Sequence, residues 1–148
     1  MFIIKTYKEI KTMSTRGFIA IKNGDQITWN YLHSDNYVVG GTGEKLLRRY
    51  NDFGIAKQLV SIGDRSYLEK EEPYDDQDEI VHNCSIDTWE KVMKDSWDIE
   101  YFYLWDNGWK VRKPSMDFVD LKDFYVAELS KRIGADMNNV NSLLKKLN

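Results

Sequence analysis

Two short stretches of this chain force the backbone to reverse. Asn23-Gly24-Asp25 separates strand-forming residues 15–22 from a second such run at 26–33. Asp106-Asn107-Gly108 likewise separates the aromatic run at 99–105 from Trp109-Lys110-Val111. An Asn-Gly step between apolar, β-prone runs is a strong short-range signal for a hairpin, because the tight turn needs residues that tolerate positive φ. Pro114 stops the second hairpin. Two antiparallel pairs exclude an all-helical fold.

Between and after the hairpins the apolar spacing changes to three and four. Leu46, Leu47 and Tyr50 predict a helix after the Gly40-Gly41-Thr42-Gly43 loop, and residues 55–62 predict a second short one closed by Gly63. Asp87-x-x-Glu90 has the form of a helix start, with Trp89, Val92 and Met93 on one face and an end near Ser96. Leu121, Phe124, Tyr125 and Leu129 form one late stripe, Gly134 supplies a stop, and Met137, Val140, Leu143, Leu144 and Leu147 form another. The expectation is an α+β fold of two β-hairpins packed with short helices, ending in a C-terminal helical pair at 120–148. Residues 13–148 read as a single domain, with burial expected for Phe102, Leu104 and Leu144. Residues 1–12 read as an N-terminal extension ahead of Met13-Ser14-Thr15-Arg16 or, through Ile3, Tyr7 and Ile10, as an integral helical element.

Composition bounds the function classes. The longest apolar runs fall far short of the roughly 20 residues that span a bilayer, so no membrane partner is expected. One cysteine, Cys84, forms no internal disulfide, which suits a reducing cytoplasm. A net charge of -3 disfavours broad nonspecific nucleic-acid binding while leaving room for a local basic face.

Four groups of residues carry candidate chemistry. Gly40, Gly41, Gly43 and Lys45 lie where backbone amides at a helix N-terminus could receive a phosphate. Glu44 and Leu46 depart from the nucleotide-loop pattern, leaving a strand-to-helix turn as the alternative. His33-x-Asp35 and His82-x-Cys84 are potential ligands, but the chain has two histidines and no fixed spacing between the pairs; His33-Ser34-Asp35 also reads as a turn. No metal, cofactor or catalytic residue is therefore expected, and Ser14 as an N-terminal nucleophile has no further support.

The acidic stretch 69–79 has seven carboxylates against one lysine. Glu71, Glu72, Asp75, Asp76, Asp78 and Glu79 form either a solvated loop or an imitation of spaced phosphates that docks on a partner's basic surface. Residues 129–147 resemble the helix-turn-helix of DNA-binding regulators, with Ser130 at the helix crossing and Gly134 in the turn. On that resemblance Asn138, Asn141 and Ser142 would face base edges while Lys145 and Lys146 approach phosphates, with Asp136 opposing DNA. A structural or partner-binding helical hairpin is the alternative. Trp89, Trp97, Trp105 and Trp109 read first as core, while any exposed member would make a good interface anchor.

From Met13 onward, Met13-Ser14-Thr15-Arg16-Gly17-Phe18-Ile19-Ala20-Ile21-Lys22, His33-x-Asp35-x-Tyr37, Gly43-x-x-Leu46-Leu47-x-x-Tyr50 and Leu59-x-x-x-Gly63-Asp64 resemble a family of small uncharacterised proteins encoded by bacteriophages and prophages. The aromatic strand and turn at Tyr101 to Trp109 extend the resemblance, which spans roughly residues 13 to 111. This chain has Asn36-Tyr37-Val38 where the family pattern has Gly-Tyr-Pro. The resemblance implies a phage setting and a binding protein before an enzyme. The leading expectation is an anti-CRISPR-like counter-defence inhibitor that covers a nucleic-acid-binding surface on a host defence protein or nucleoprotein complex. A small DNA-binding regulator follows, then a sponge for a nucleotide immune signal using the glycine-rich loop.

Overall fold

A computed structural model describes residues 15–69 and 81–147. Its centre is a six-stranded mixed sheet built from the two expected hairpins. Strands β1 (Gly17–Asn23) and β2 (Gln26–Leu32) form the first. Strands β4 (Tyr101–Trp105) and β5 (Trp109–Arg112) form the second. In its turn Asn107 adopts φ 56°, a left-handed conformation that asparagine tolerates better than most residues. The hairpins join through parallel pairing of β1 with β4, with Phe18 opposite Phe102 and Ala20 opposite Leu104. Short strands β3 (His82–Ser85) and β6 (Val119–Asp120) complete the order β3-β2-β1-β4-β5-β6.

Alternation along the central strands divides the core. Ile19, Ile21, Tyr103 and Val111 face helices α1 (Thr42–Arg49) and α2 (Phe53–Val60) and the first turns of α4 (Leu121–Leu147), whose Leu46, Ala56, Leu59 and Leu121 fill the layer. On the opposite face Phe18, Ala20, Phe102 and Leu104 receive Trp89 and Met93 of α3 (Ile86–Asp95). The sheet is thus covered on both sides, which explains why β1 is apolar over consecutive positions instead of alternating. Burial of Phe102 and Leu104 agrees with the sequence, whereas the side chain of Leu144 lies outside the described residues.

The helices depart from expectation at their ends. Helix α2 starts earlier than residue 55 because Asp52 caps it, its carboxylate accepting from the Ile55 amide at 3.2 Å. Ser85, one residue ahead of α3, accepts from the Thr88 amide at 3.2 Å and replaces Asp87 as the cap.

The larger correction concerns the C-terminus. The expected helical pair is one continuous helix of 27 residues, and Gly134 lies inside it. A glycine in a helix interior costs only about 1 kcal/mol relative to alanine. Gly134 therefore does not enforce a turn when the residues on both sides favour helix.

Candidate functional site

The loop between β2 and α1 is ordered by Asn36, which is fully buried. Its amide donates to the carbonyls of Thr15 at 2.8 Å and Leu32 at 3.0 Å, and its Oδ1 accepts from the Thr42 hydroxyl at 3.0 Å. The phenol of Tyr103 donates to its backbone carbonyl. This buried arrangement folds the glycine-rich segment tightly onto the preceding turn.

Close packing accounts for two of those glycines. A Cβ on Gly41 would stand 2.5 Å from the Asp35 carbonyl oxygen, and one on Gly43 would stand 2.7 Å from the Val38 Cα. The amides of Thr42 and Gly43 donate to the carbonyls of Asp35 at 2.8 Å and Tyr37 at 3.2 Å. Lys45 stands 3.5 Å from Glu69. The Thr42 and Gly43 amides and the Lys45 ammonium thus have partners within the protein. Gly40, with φ 81°, supplies the left-handed turn of the same segment.

The histidines are separated by role. His82 Nε2 lies 3.0 Å from the Asp64 carboxylate, and its ring stacks on Trp29 at 4.1 Å between centroids. Asp64 also accepts from the Tyr31 amide at 2.8 Å. The arrangement fastens the segment after α2 to β2 and the edge strand β3. His33 Nδ1 instead faces the Tyr31 hydroxyl at 2.7 Å. Burial, reinforced by the positive charge of Arg16, lowers its pKa. Asp35 contributes its backbone carbonyl to the Thr42 contact, and burial raises the Cys84 thiol pKa, making the thiolate less available. Among the described residues no group of three or more His, Cys, Asp or Glu side chains could hold a metal ion.

Glu71, Glu72, Asp75, Asp76, Asp78 and Glu79 lie outside the described residues. Glu69, at the start of the acidic stretch, is held beside α1 by Arg49 at 2.5 Å and Lys45.

A groove of about 820 Å³ lies between α3 and β5. Met93 and Phe102 supply apolar lining, and the wall around them includes the acids Asp87 and Glu90 as well as Lys94, Arg112, Pro114 and Trp97. Trp97 is 88% exposed, whereas Trp89 and Trp109 are buried. Its chain neighbours are tied to the body. Ser96 Oγ donates to the Val92 carbonyl at 2.6 Å, and the Ile99 amide donates back to Ser96 at 3.1 Å. Asp98 pairs with Arg16 at 2.9 Å. A large aromatic on a restrained backbone presents contact area with little ordering cost on binding.

The site's identity was partly accessible from sequence: Trp97 follows the Ser96 stop and has Asp95 and Asp98 nearby. The groove was hidden because β5 reaches α3 only through the sheet. On α4, Asn138, Asn141 and Lys145 are exposed, and their three- and four-residue spacing places them on one helical face. The side chains of Ser142 and Lys146 lie outside the description. Compared with protein-family models, curated proteins and solved structures, the chain matches none.

Among the described residues no helix is long and apolar enough to cross a membrane.

Proposed function

We propose that the protein is a counter-defence binding protein that blocks a nucleic-acid-binding surface on a host defence protein or nucleoprotein complex. The observation that carries this reading is Trp97, exposed beside the α3–β5 groove while its neighbours are tied to the body. Tryptophans are enriched among residues that dominate protein interfaces because they remove large apolar area from water. Asp87, Glu90, Lys94 and Arg112 give the rim mixed charge, with Arg112 paired to Glu90 at 3.3 Å. The acidic residues supply the complementary charge that the proposed basic target requires. Counter-defence, and an anti-CRISPR-like mode in particular, rests on the resemblance to small phage proteins.

A phage-infection assay in a host with a defined CRISPR system tests this reading. Native protein should protect the phage, and Trp97→Ala should reduce protection at equal expression and folding. No protection by the native protein would reject inhibition of that system. Full protection by Trp97→Ala would reject the anchor.

DNA binding is a second reading, supported by the shared exposed face of Asn138, Asn141 and Lys145. It would place a continuous helix, rather than a helix pair, against duplex DNA. Lys145→Ala should then weaken binding and lower its salt dependence, whereas Asn141→Ala should alter sequence preference. No binding by the native protein at low salt would reject this alternative.

A further inference from the structure

We propose that two copies of this chain associate antiparallel through the distal half of α4. Its first turns belong to the body: Leu121 is buried, with Phe124 and Tyr125 packed against the same core. Beyond them the environment changes. Residues 130–135 are all exposed, and at about 100° per residue six consecutive positions encircle the helix. The body therefore covers no face of that stretch. Most helical stability in proteins comes from packing of an apolar face, so a partner along the distal half would stabilise it.

The sequence of the same helix supplies a seam. Val126, Leu129, Ile133, Met137, Val140, Leu144 and Leu147 follow one another at intervals of three or four, the spacing that keeps apolar residues on one side of paired helices. The exposed side chains at its beginning are apolar: Val126 is 51% and Ile133 is 54% exposed. The polar Asn138, Asn141 and Lys145 occupy the other side.

A second copy is favoured because the spacing is nearly the same in either chain direction. Centred between Asp136 and Met137, an antiparallel pair sets Val126 opposite Leu147, Leu129 opposite Leu144 and Ile133 opposite Val140 of the second copy. Such a two-fold contact is self-complementary and places the two globular bodies at opposite ends. Its seam is roughly 30 Å long. That length suits a contact no larger than the usual roughly 800 Å² per partner, hence a dimer that dissociates on dilution.

Sedimentation equilibrium of the full chain should show a concentration-dependent monomer–dimer transition. Ile133→Asp should weaken association by about tenfold or more, with unchanged circular dichroism in the β region, whereas Lys145→Ala should retain it. In a Cys84→Ser background, Met137→Cys should yield an oxidised dimer and Val126→Cys should not. A native monomer at the highest soluble concentration would overturn the proposal, as would association indifferent to Ile133→Asp. Preferential cross-linking through Val126→Cys would overturn the antiparallel arrangement. Dimerisation only after deletion of residues 1–14 would also overturn it, by showing that the chain's own N-terminal segment covers the seam.

Discussion

Tyr103 donates its phenolic hydrogen to the backbone carbonyl of Asn36 at 2.6 Å, joining β4 to the loop that leads into α1. Both residues are fully buried. Burial raises the Tyr103 pKa well above its ordinary value, with Tyr101 adding to the effect, so its hydroxyl remains a donor at physiological pH. Tyr103→Phe should lower stability by about 1–3 kcal/mol because it removes one partner of a buried hydrogen bond. Asn36→Ala keeps the carbonyl that Tyr103 uses, yet it should cost at least as much, since it strips a side-chain partner from Thr15, Leu32 and Thr42. Urea unfolding of the two variants checks both expectations.

The glycine-rich segment has a separable test. Gly41→Ala should destabilise because its Cβ would meet the backbone oxygens of Asp35 and Tyr37 rather than a movable side-chain tip. Inorganic phosphate should leave the native melting temperature unchanged, since the Thr42 and Gly43 amides and the Lys45 ammonium already have partners. Thermal melts with and without phosphate distinguish packing from anion binding.

The lowered pKa of His33 predicts a pH effect on folding. Near and below the ordinary histidine value of 6.5, the unfolded chain binds the proton more readily than the folded one. Stability from this group should therefore decline as pH falls from about 6.5 toward the lower folded-state pKa, then level off. His33→Gln should flatten that part of the stability–pH curve. Chemical unfolding across the acidic range measures the slope.

The limits of sequence reading follow from which interactions are local. Asn23-Gly24 and Asn107-Gly108 exposed the hairpins because each turn is encoded by adjacent residues. The α+β class followed from those turns and the apolar spacing around Leu46 and Trp89. Parallel pairing of Phe18 with Phe102 was not encoded by neighbouring residues, and His82-Asn83-Cys84-Ser85 lacks the alternation that would mark a strand. Gly134 invited a break that the helix absorbs. At the candidate site Trp97 is one of four tryptophans that sequence alone does not tell apart, since its exposure depends on where α3 ends and where Arg112 lies after folding.

The pinning of Trp97 predicts a difference between anchor and support. Trp97→Ala should leave stability within about 0.5 kcal/mol, as expected for an exposed position. Asp98→Ala removes the pair with Arg16 and should weaken partner binding less than Trp97→Ala, because the aromatic contact remains while its backbone gains freedom. Unfolding curves and association rates for the two variants measure these separate effects.

The most direct measurement is competition between this protein and target DNA for a purified CRISPR effector complex. Native protein should displace DNA in a dose-dependent manner, Trp97→Ala should require a higher concentration, and neutralisation of Glu71, Glu72, Asp75, Asp76, Asp78 and Glu79 should slow association and reduce its salt sensitivity. DNA binding undiminished by saturating native protein would contradict the proposed inhibition of that complex.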